Sequence, residues 1–327
     1  MALRAKASMG LALSDMYADY EATLTHRDSL AVLLGGRRTR STRDAASGYQ
    51  VDSYAASDLE GLALVLGTGF RVTSAEYSGI QVNLFDRTAP DSGLGEVVEA
   101  TGAALDWYVR RVGFFPHDAI GIVPGFARGI GGNPMPGIFT IHRGYTGRRF
   151  LEEMTAHELG HFYWGQGILG ANAPGALNWL MLGNSIWLDQ LYVSERRGIA
   201  FDVQWHTPEV FNMPERFLTA QVGDFEQRLG LTGAALDSVR TDYGGAIAHA
   251  KASMGILLLA RGIGNERFLD LQRQLIRKYW HRELTSVTYA HELAQAGLAD
   301  APRWLSTWER GDARVGYQVH EIRRGTE

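Results

Sequence analysis

The sequence predicts an α+β protein in which a small β-rich N-terminal domain precedes a larger domain with a helical C-terminal part. Apolar and polar residues alternate with period two in short stretches of residues 15–90, which is typical of half-buried strands. After residue 93, apolar residues recur three or four positions apart, which is typical of amphipathic helices. A stretch containing Pro and Gly at 87–95 separates the two patterns. We therefore expect one domain over residues 1–92 and a second over 93–327.

The N-terminal domain contains three clear strand signals. Residues 70–74 and 80–85 alternate, and each predicts a strand with one buried face. Residues 62–67 are continuously apolar and predict a fully buried strand. A run of basic residues nearby is more typical of a solvated loop than of a phosphate site. These basic residues are Arg37, Arg38, Arg40 and Arg43.

The second domain begins with a helix, because one apolar stripe runs from Val97 to Val112. Two short strands are predicted at 119–124 and 138–141, on either side of a glycine-rich stretch. We expect the second strand to be the edge strand along which a substrate lies, with His142 at its end as a structural residue or a substrate contact and not a metal ligand. Long helices then follow at 149–164, 178–197, 246–260, 266–280, 287–295 and 302–309.

Composition excludes several classes of function. The chain has no cysteine, which rules out disulfides and thiolate chemistry. A net charge of -4 gives no indication of a nucleic-acid partner. There is neither a long apolar run nor a signal-peptide core, so we expect no membrane partner and a cytoplasmic location. The oligomeric state has no signature in the sequence.

One motif carries the functional prediction. Residues 157–161 read His-Glu-Leu-Gly-His, which is the HExxH pattern of metallopeptidases. Two histidines four residues apart on a helix share a face, so His157 and His161 can bind one zinc ion. Glu158 can then act as the general base on a metal-bound water. The alternative is an ordinary helix that carries two surface histidines.

The order of elements around this motif resembles the aminopeptidase N and leukotriene hydrolase family of gluzincin metallopeptidases. The matching segments are 103–116, 155–165, 178–183 and 242–246. The resemblance implies a β domain followed by a thermolysin-like catalytic domain with a helical end, and a zinc-dependent hydrolase. It also implies that Tyr243 donates a hydrogen bond to the oxyanion of the transition state. The alternative for Tyr243 is a buried tyrosine bonded to backbone.

Two positions depart from the family pattern. The family's third zinc ligand is a glutamate, and our alignment places Leu182 there. The glutamate that holds a substrate's free amine is replaced by Pro134. Asp189 lies two turns after Leu182 and would reach the metal only if the helix were shifted. The other acids considered as replacement ligands are Glu153, Asp224 and Glu226.

These departures leave three functions open. The first is a divergent zinc-dependent hydrolase that acts on a peptide or a small molecule and is not a standard aminopeptidase. The second is a reused metallopeptidase scaffold that acts on a non-peptide small molecule, because Leu182 and Pro134 make the pocket less polar. The third is a binding protein that kept the fold and lost the chemistry.

Overall fold

In the computed structural model, strands come first and helices dominate the C-terminal half, so the predicted α+β class is confirmed. No helix among the described residues combines the length and apolar character needed to cross a bilayer. The structure describes residues 17–87, 94–125, 132–142, 147–170, 179–206, 212–223, 226, 228–230 and 243–311.

Within residues 17–87, seven strands form two small sheets and part of a third. The first sheet is antiparallel with the order β1-β4-β3, and β2 pairs with β5 in a two-stranded sheet. The remaining two strands, β6 and β7, pair antiparallel with each other. The strands are β1 (Ala18–Arg27), β2 (Leu30–Leu34), β3 (Arg37–Asp44), β4 (Tyr49–Leu59), β5 (Leu64–Thr68), β6 (Phe70–Tyr77) and β7 (Ile80–Arg87).

Two of the strand predictions are wrong in detail. The arginine run is not a loop but β3, whose side chains are nearly all exposed, so no apolar alternation marks it. Strand β5 was expected to be buried, yet Leu64 and Leu66 are 47% and 57% exposed. A two-stranded sheet covers only one face of β5, and a continuous apolar run does not reveal this.

The sheet that supports the site has five strands in the order β6-β7-β8-β10-β9. Strand β8 (Ala119–Gly125) runs parallel to both β7 and β10 (Ile138–His142). Strand β9 (Gly132–Met135) is antiparallel to β10 and lies at the edge, so the prediction that residues 138–142 form the edge is wrong. This sheet takes strands from both sides of residue 92, and the domain division at that residue stays a prediction.

The helices lie close to where the sequence predicts them, although the zinc-motif helix ends at Gly160 instead of residue 164. The segment just before α6 is a π-helix, Tyr243–Lys251. The α-helices are α1 (Leu94–Arg111), α2 (Arg148–Gly160), α3 (Trp179–Arg197), α4 (Phe201–His206), α5 (Met213–Val222), α6 (Ala252–Ile263), α7 (Asn265–Lys278), α8 (Ser286–Gln295) and α9 (Ala301–Arg310).

Helix α2 lies at the centre of the main core. Every residue from Leu151 to Gly160 is buried, because α1 and α3 pack on two sides of α2. Tyr108 of α1 donates to the carbonyl of Ala156 at 2.8 Å. A Cβ on Gly160 would lie only 3.2 Å from Cβ of Ser185 on α3. This close crossing brings the α3 side chains up to the histidine motif.

Candidate functional site

The structure brings His157 and His161 together as predicted. His157 lies in the last turn of α2 and His161 is the C-cap residue that follows it. Both are buried, with 4% and 3% of their surface exposed. Their Nε2 atoms are 3.0 Å apart and the rings are nearly perpendicular. The alternative of two surface histidines is therefore wrong.

The other nitrogen of each ring, Nδ1, faces a hydrogen-bond acceptor. For His157 this is Oδ2 of Asp189 at 2.9 Å. For His161 these are the Oγ of Ser185 at 3.0 Å and the carbonyl of Trp164 at 3.4 Å. With the Asp189 carboxyl ionised and the Ser185 hydroxyl accepting, each neutral ring carries its proton on Nδ1 and its lone pair on Nε2. In that arrangement the two Nε2 lone pairs point at each other and a cation between them would satisfy both, whereas with one ring protonated on Nε2 the same 3.0 Å contact is a hydrogen bond.

The pair fits a divalent metal ion. Zinc bonds imidazole nitrogen at about 2.0–2.1 Å, so two tetrahedral nitrogen ligands lie about 3.3 Å apart. The observed 3.0 Å is close to that value. Burial, followed by the charges of His161 and His249, lowers the pKa of His157 well below its usual value. Burial lowers the pKa of His161 to about 4, so both rings are neutral ligands at pH 7.

The pair has no third ligand among the described residues, where no group of three His, Cys, Asp or Glu side chains is placed to hold a metal. Leu182 lies in the hydrophobic core, and the α3 side chain that contacts His161 is instead that of Ser185. The Ser185 hydroxyl is too short to pass the ring and reach the Nε2 side. The donor set is thus two imidazoles, one ligand short of an ordinary catalytic zinc site.

The acids considered as replacements occupy other places. Asp189 needs no helix shift to take part, because it bonds His157 from behind. Glu153 is fully buried, and its charge adds to burial in raising the pKa of Asp189. Glu226 forms an ion pair with Lys251 at 2.9 Å. Asp224 lies outside the described residues. Asp189 is therefore a buried acid behind His157, and a cation bound by the histidine pair would favour its ionised form.

Glu158 has the surroundings of a base. It is 2% exposed and accepts a hydrogen bond from the backbone N–H of Gly132 on β9. The approach is so close that a Cβ on Gly132 would lie 2.4 Å from Glu158 Oε1. The other oxygen, Oε2, has no hydrogen-bond partner in the described part of the chain. Burial raises the pKa of Glu158 to about 8, against the effect of the Gly132 bond.

One further histidine was missed by the sequence analysis. His249 lies on the π-helical segment and lowers the pKa of both His157 and His161 through its charge, so it lies near the pair. π-Helical turns are frequent at functional sites, but nothing in the local sequence marks this one. Tyr243 begins the same segment, and its side chain lies outside the described part. The side chain of His142 does too, so the predicted roles of both residues stay predictions.

The edge strand β9 is poorly suited to pair with an added strand. Its Gly132 N–H is directed to Glu158, and the Met135 carbonyl accepts a bond from Gln166 at 2.9 Å. Pro134, which lies between them, has no N–H to donate. The predicted replacement of an amine-binding glutamate by Pro134 thus falls within the strand that borders the site.

No family model and no curated protein matches the chain. The fold is similar to that of solved M1 zinc metallopeptidases, which confirms the resemblance at the level of the fold. A mutant M1 enzyme from Deinococcus radiodurans has a TM-score of 0.68 and 15% identity, over 92% of this chain and 66% of that chain. The same enzyme bound to a Tyr-Ser-Ala substrate has a TM-score of 0.66 and 14% identity, with the same coverage.

A two-domain M1 zinc metallopeptidase mutant bound to L-arginine has a TM-score of 0.67 and 15% identity, over 91% of this chain and 65% of that chain. The chain thus spans about two thirds of the length of these enzymes. At such low identity the likeness concerns the fold, and the chemistry must be argued from the side chains.

Proposed function

We propose that the protein is a metal-dependent hydrolase in which His157 and His161 hold one divalent ion, with zinc as the expected metal, and Glu158 is the general base. The observation that carries this proposal is the convergence of the two buried Nε2 atoms at 3.0 Å. The unpartnered Oε2 of Glu158, on the turn of α2 between the two histidines, supports it. The likeness in fold to M1 zinc metallopeptidases adds a scaffold known to carry such a site.

Each residue has a separate task in this proposal. A bound divalent ion would supply Lewis-acid polarisation of a substrate carbonyl and would lower the pKa of water. Glu158 Oε2 would take the proton of the attacking water, while the Gly132 N–H holds Oε1 in place. Asp189 would keep the His157 proton on Nδ1, so that the Nε2 lone pair is presented to the metal. Tyr243 is proposed to donate to the oxyanion.

We propose a small substrate in preference to an extended peptide. An added peptide strand needs backbone donors and acceptors along the edge of the sheet. On β9 the backbone groups of Gly132 and Pro134 face the same edge, and there the Gly132 N–H is already bonded to Glu158 and Pro134 has no N–H. Pro134 also offers no charge to a free amine. Amides or esters no larger than a dipeptide, with a free or a blocked amine, are therefore the substrates to screen.

The first test is metal analysis of the purified protein together with turnover of such a screen. We expect a single bound metal ion per chain and activity that a chelator removes. Glu158→Gln should keep the metal and lower turnover by about 10²-fold or more, because a general base contributes 10²–10⁴-fold. Retained turnover in Glu158→Gln would overturn the role of Glu158 as base.

A second candidate is acid–base catalysis on a small molecule without a metal. The pKa of about 8 and the buried, unpartnered oxygen of Glu158 favour it, since such a carboxyl group can both donate and accept a proton near pH 7. Activity that survives complete metal removal, and that Glu158→Gln abolishes, would select this candidate over the first.

A further inference from the structure

A chain of hydrogen bonds leads from Asp189 away from the histidine pair. The Nε2 of Gln190 donates to Oδ1 of Asp189 at 2.7 Å. The Nε2 of Gln204 donates to Oε1 of Gln190 at 2.9 Å. An Nη1 of Arg197 donates to Oε1 of Gln204 at 3.4 Å. Two glutamines, Gln190 and Gln204, thus connect the partner of His157 to a guanidinium near the surface, where the Arg197 side chain is 14% exposed.

The two ends of this chain determine its direction. Arginine can only donate, so the oxygen of the Gln204 amide must face Arg197. The Gln204 nitrogen then faces Gln190, whose own nitrogen faces the Asp189 carboxylate. Every donor therefore points towards Asp189. Gln204 and Gln190 are 0% and 2% exposed, so water does not compete for these bonds.

The turn between α3 and α4 holds Gln204 in this position. Gln190 and Arg197 are seven residues apart on α3 and therefore share a face. Gln204 reaches that face from α4 and bridges the two. The turn is held by Ser194, whose backbone carbonyl and side-chain hydroxyl bond the N–H and the carbonyl of Ile199 at 3.1 and 2.7 Å.

The outer end of the chain is also held in place. Arg197 donates through Nη2 to the carbonyl of Arg149 on α2 at 3.0 Å. Its Nε lies 3.6 Å from the carboxylate of Glu152, which is 7% exposed. The guanidinium is thus tied to α2 and, through Gln204 and Gln190, to the carboxylate behind His157. Neither glutamine contacts the metal-binding nitrogens.

We propose that Gln204 and Gln190 are positioning residues that hold the Asp189 carboxylate in the orientation that accepts the His157 Nδ1–H, and thereby set the affinity of the histidine pair for a divalent metal. The affinity part rests on the proposed function, because it takes His157 and His161 as metal ligands. Partners of metal-binding histidines typically change metal affinity by 10–100-fold. We expect a smaller effect, about 3–10-fold, from residues one and two bonds further out.

The test compares Gln204→Met and Gln190→Met with Gln272→Met. Gln272 is a matched control, because it is also a buried glutamine that bonds an α3 side chain, Asn184, at 2.7 Å, and it has no bond to Asp189. Cobalt(II) is titrated into each metal-free protein, and the dissociation constant and visible spectrum are recorded. We expect about 3–10-fold weaker binding for the two chain variants and no change for Gln272→Met.

A second measurement needs no metal. The His157 Nδ1 proton is observed by NMR in each metal-free protein, where we expect faster exchange with solvent in the chain variants than in Gln272→Met. Arg197→Met removes the outer end of the hydrogen-bond chain. It replaces Gln204→Met or Gln190→Met in both measurements if one of these buried variants does not fold.

The inference would be overturned if Gln204→Met and Gln190→Met had the same effect as Gln272→Met, or had no effect. Cobalt binding by the wild-type protein would in that case still support the proposed function. A wild-type protein that binds no cobalt would overturn the proposed function and the affinity part together. The proton exchange measurement would then decide the positioning role by itself.

Discussion

Two histidine–aspartate pairs in this protein, one half-buried and one fully buried, show why one is a candidate site and the other is not. His26 on β1 contacts Asp52 on β4 at 3.1 Å, and His157 contacts Asp189 at 2.9 Å. The second nitrogen of His26 faces the carbonyl of Arg27 at 3.0 Å, so both nitrogens have acceptors within the protein. The second nitrogen of His157 faces another imidazole nitrogen. When both rings of the α2 pair carry their proton on Nδ1, their two Nε2 lone pairs meet, and a cation is the partner that would satisfy them.

The largest effect should come from removing one histidine of the α2 pair. His161→Ala leaves one protein ligand, so metal binding should weaken by more than about 100-fold, beyond the range typical of outer partners. His26→Ala is the matched control and should leave the metal dissociation constant unchanged. Isothermal titration with zinc measures both. Equal loss in the two variants would remove the distinction between the pairs.

A second large effect concerns the pH dependence of stability. The α2 histidines have the buried carboxyl group of Glu158 next to them, in addition to that of Asp189. The pKa of Glu158 is about 8 in the folded protein against an ordinary 4.5. The folded protein therefore binds the Glu158 proton more tightly than the unfolded chain does. The resulting contribution to the free energy of unfolding is complete below pH 4.5 and is lost as the pH rises to about 8. In the metal-free protein, the stability of wild type relative to Glu158→Gln should fall by about 1.4 kcal/mol per pH unit within that window.

The measurement is urea unfolding of both proteins from pH 5 to pH 8 with a chelator present. The difference in unfolding free energy between the two proteins removes the contribution of the histidines, which both proteins share. Because the histidine pKa values are lowered, that contribution decreases stability as the pH falls. A difference that stays constant with pH would mean that Glu158 is not buried as the structure has it.

Asp189→Asn tests the contrast between the two histidine–aspartate pairs, because it changes only the group that accepts the His157 Nδ1–H. The amide is neutral and can present a donor to Nδ1, so the ring loses its partner for the Nδ1 proton. We expect about 10–100-fold weaker metal binding. Asp52→Asn is the control on the strand pair, and the same titration should show no change for it. Unaltered affinity in Asp189→Asn would show that Asp189 does not orient the ring.

The smallest expected effect tests whether the pair lacks a ligand. Ser185 is the α3 side chain in contact with His161, and a longer carboxylate could pass the ring. We expect Ser185→Glu to strengthen zinc binding by about tenfold. Ser185→Gln has the same size without the charge and should not strengthen it. The close crossing of α2 and α3 limits the space for both variants, so thermal unfolding of each is measured alongside.

The sequence predicted the strands, helices and metal motif that have their own periodicity or spacing. Strand β3 escaped because all its residues are polar, and β9 escaped because a Gly-Asn-Pro-Met segment carries no strand signal. A strand or helix could be predicted from the sequence only where burial of one of its faces requires apolar residues at a regular spacing.

The side chains around the motif were harder to predict. Leu182 was assigned to face the histidines, but Ser185 does, because the contact between α2 and α3 depends on the close packing at Gly160. Asp189 is predicted to reach the metal only if the helix is shifted, whereas the structure places it on the far side of the His157 ring, bonded to Nδ1. An acid can bind a metal directly, or it can accept a hydrogen bond from the histidine nitrogen that faces away from the metal. The spacing of residues along the sequence does not distinguish these two positions.

The burial of α2 on every side has a kinetic consequence. A helix with no solvent-facing stripe has no shallow local opening, so the amide hydrogens of residues 151–160 should exchange with deuterium only when the whole core opens. The slowest exchange in the protein is expected there.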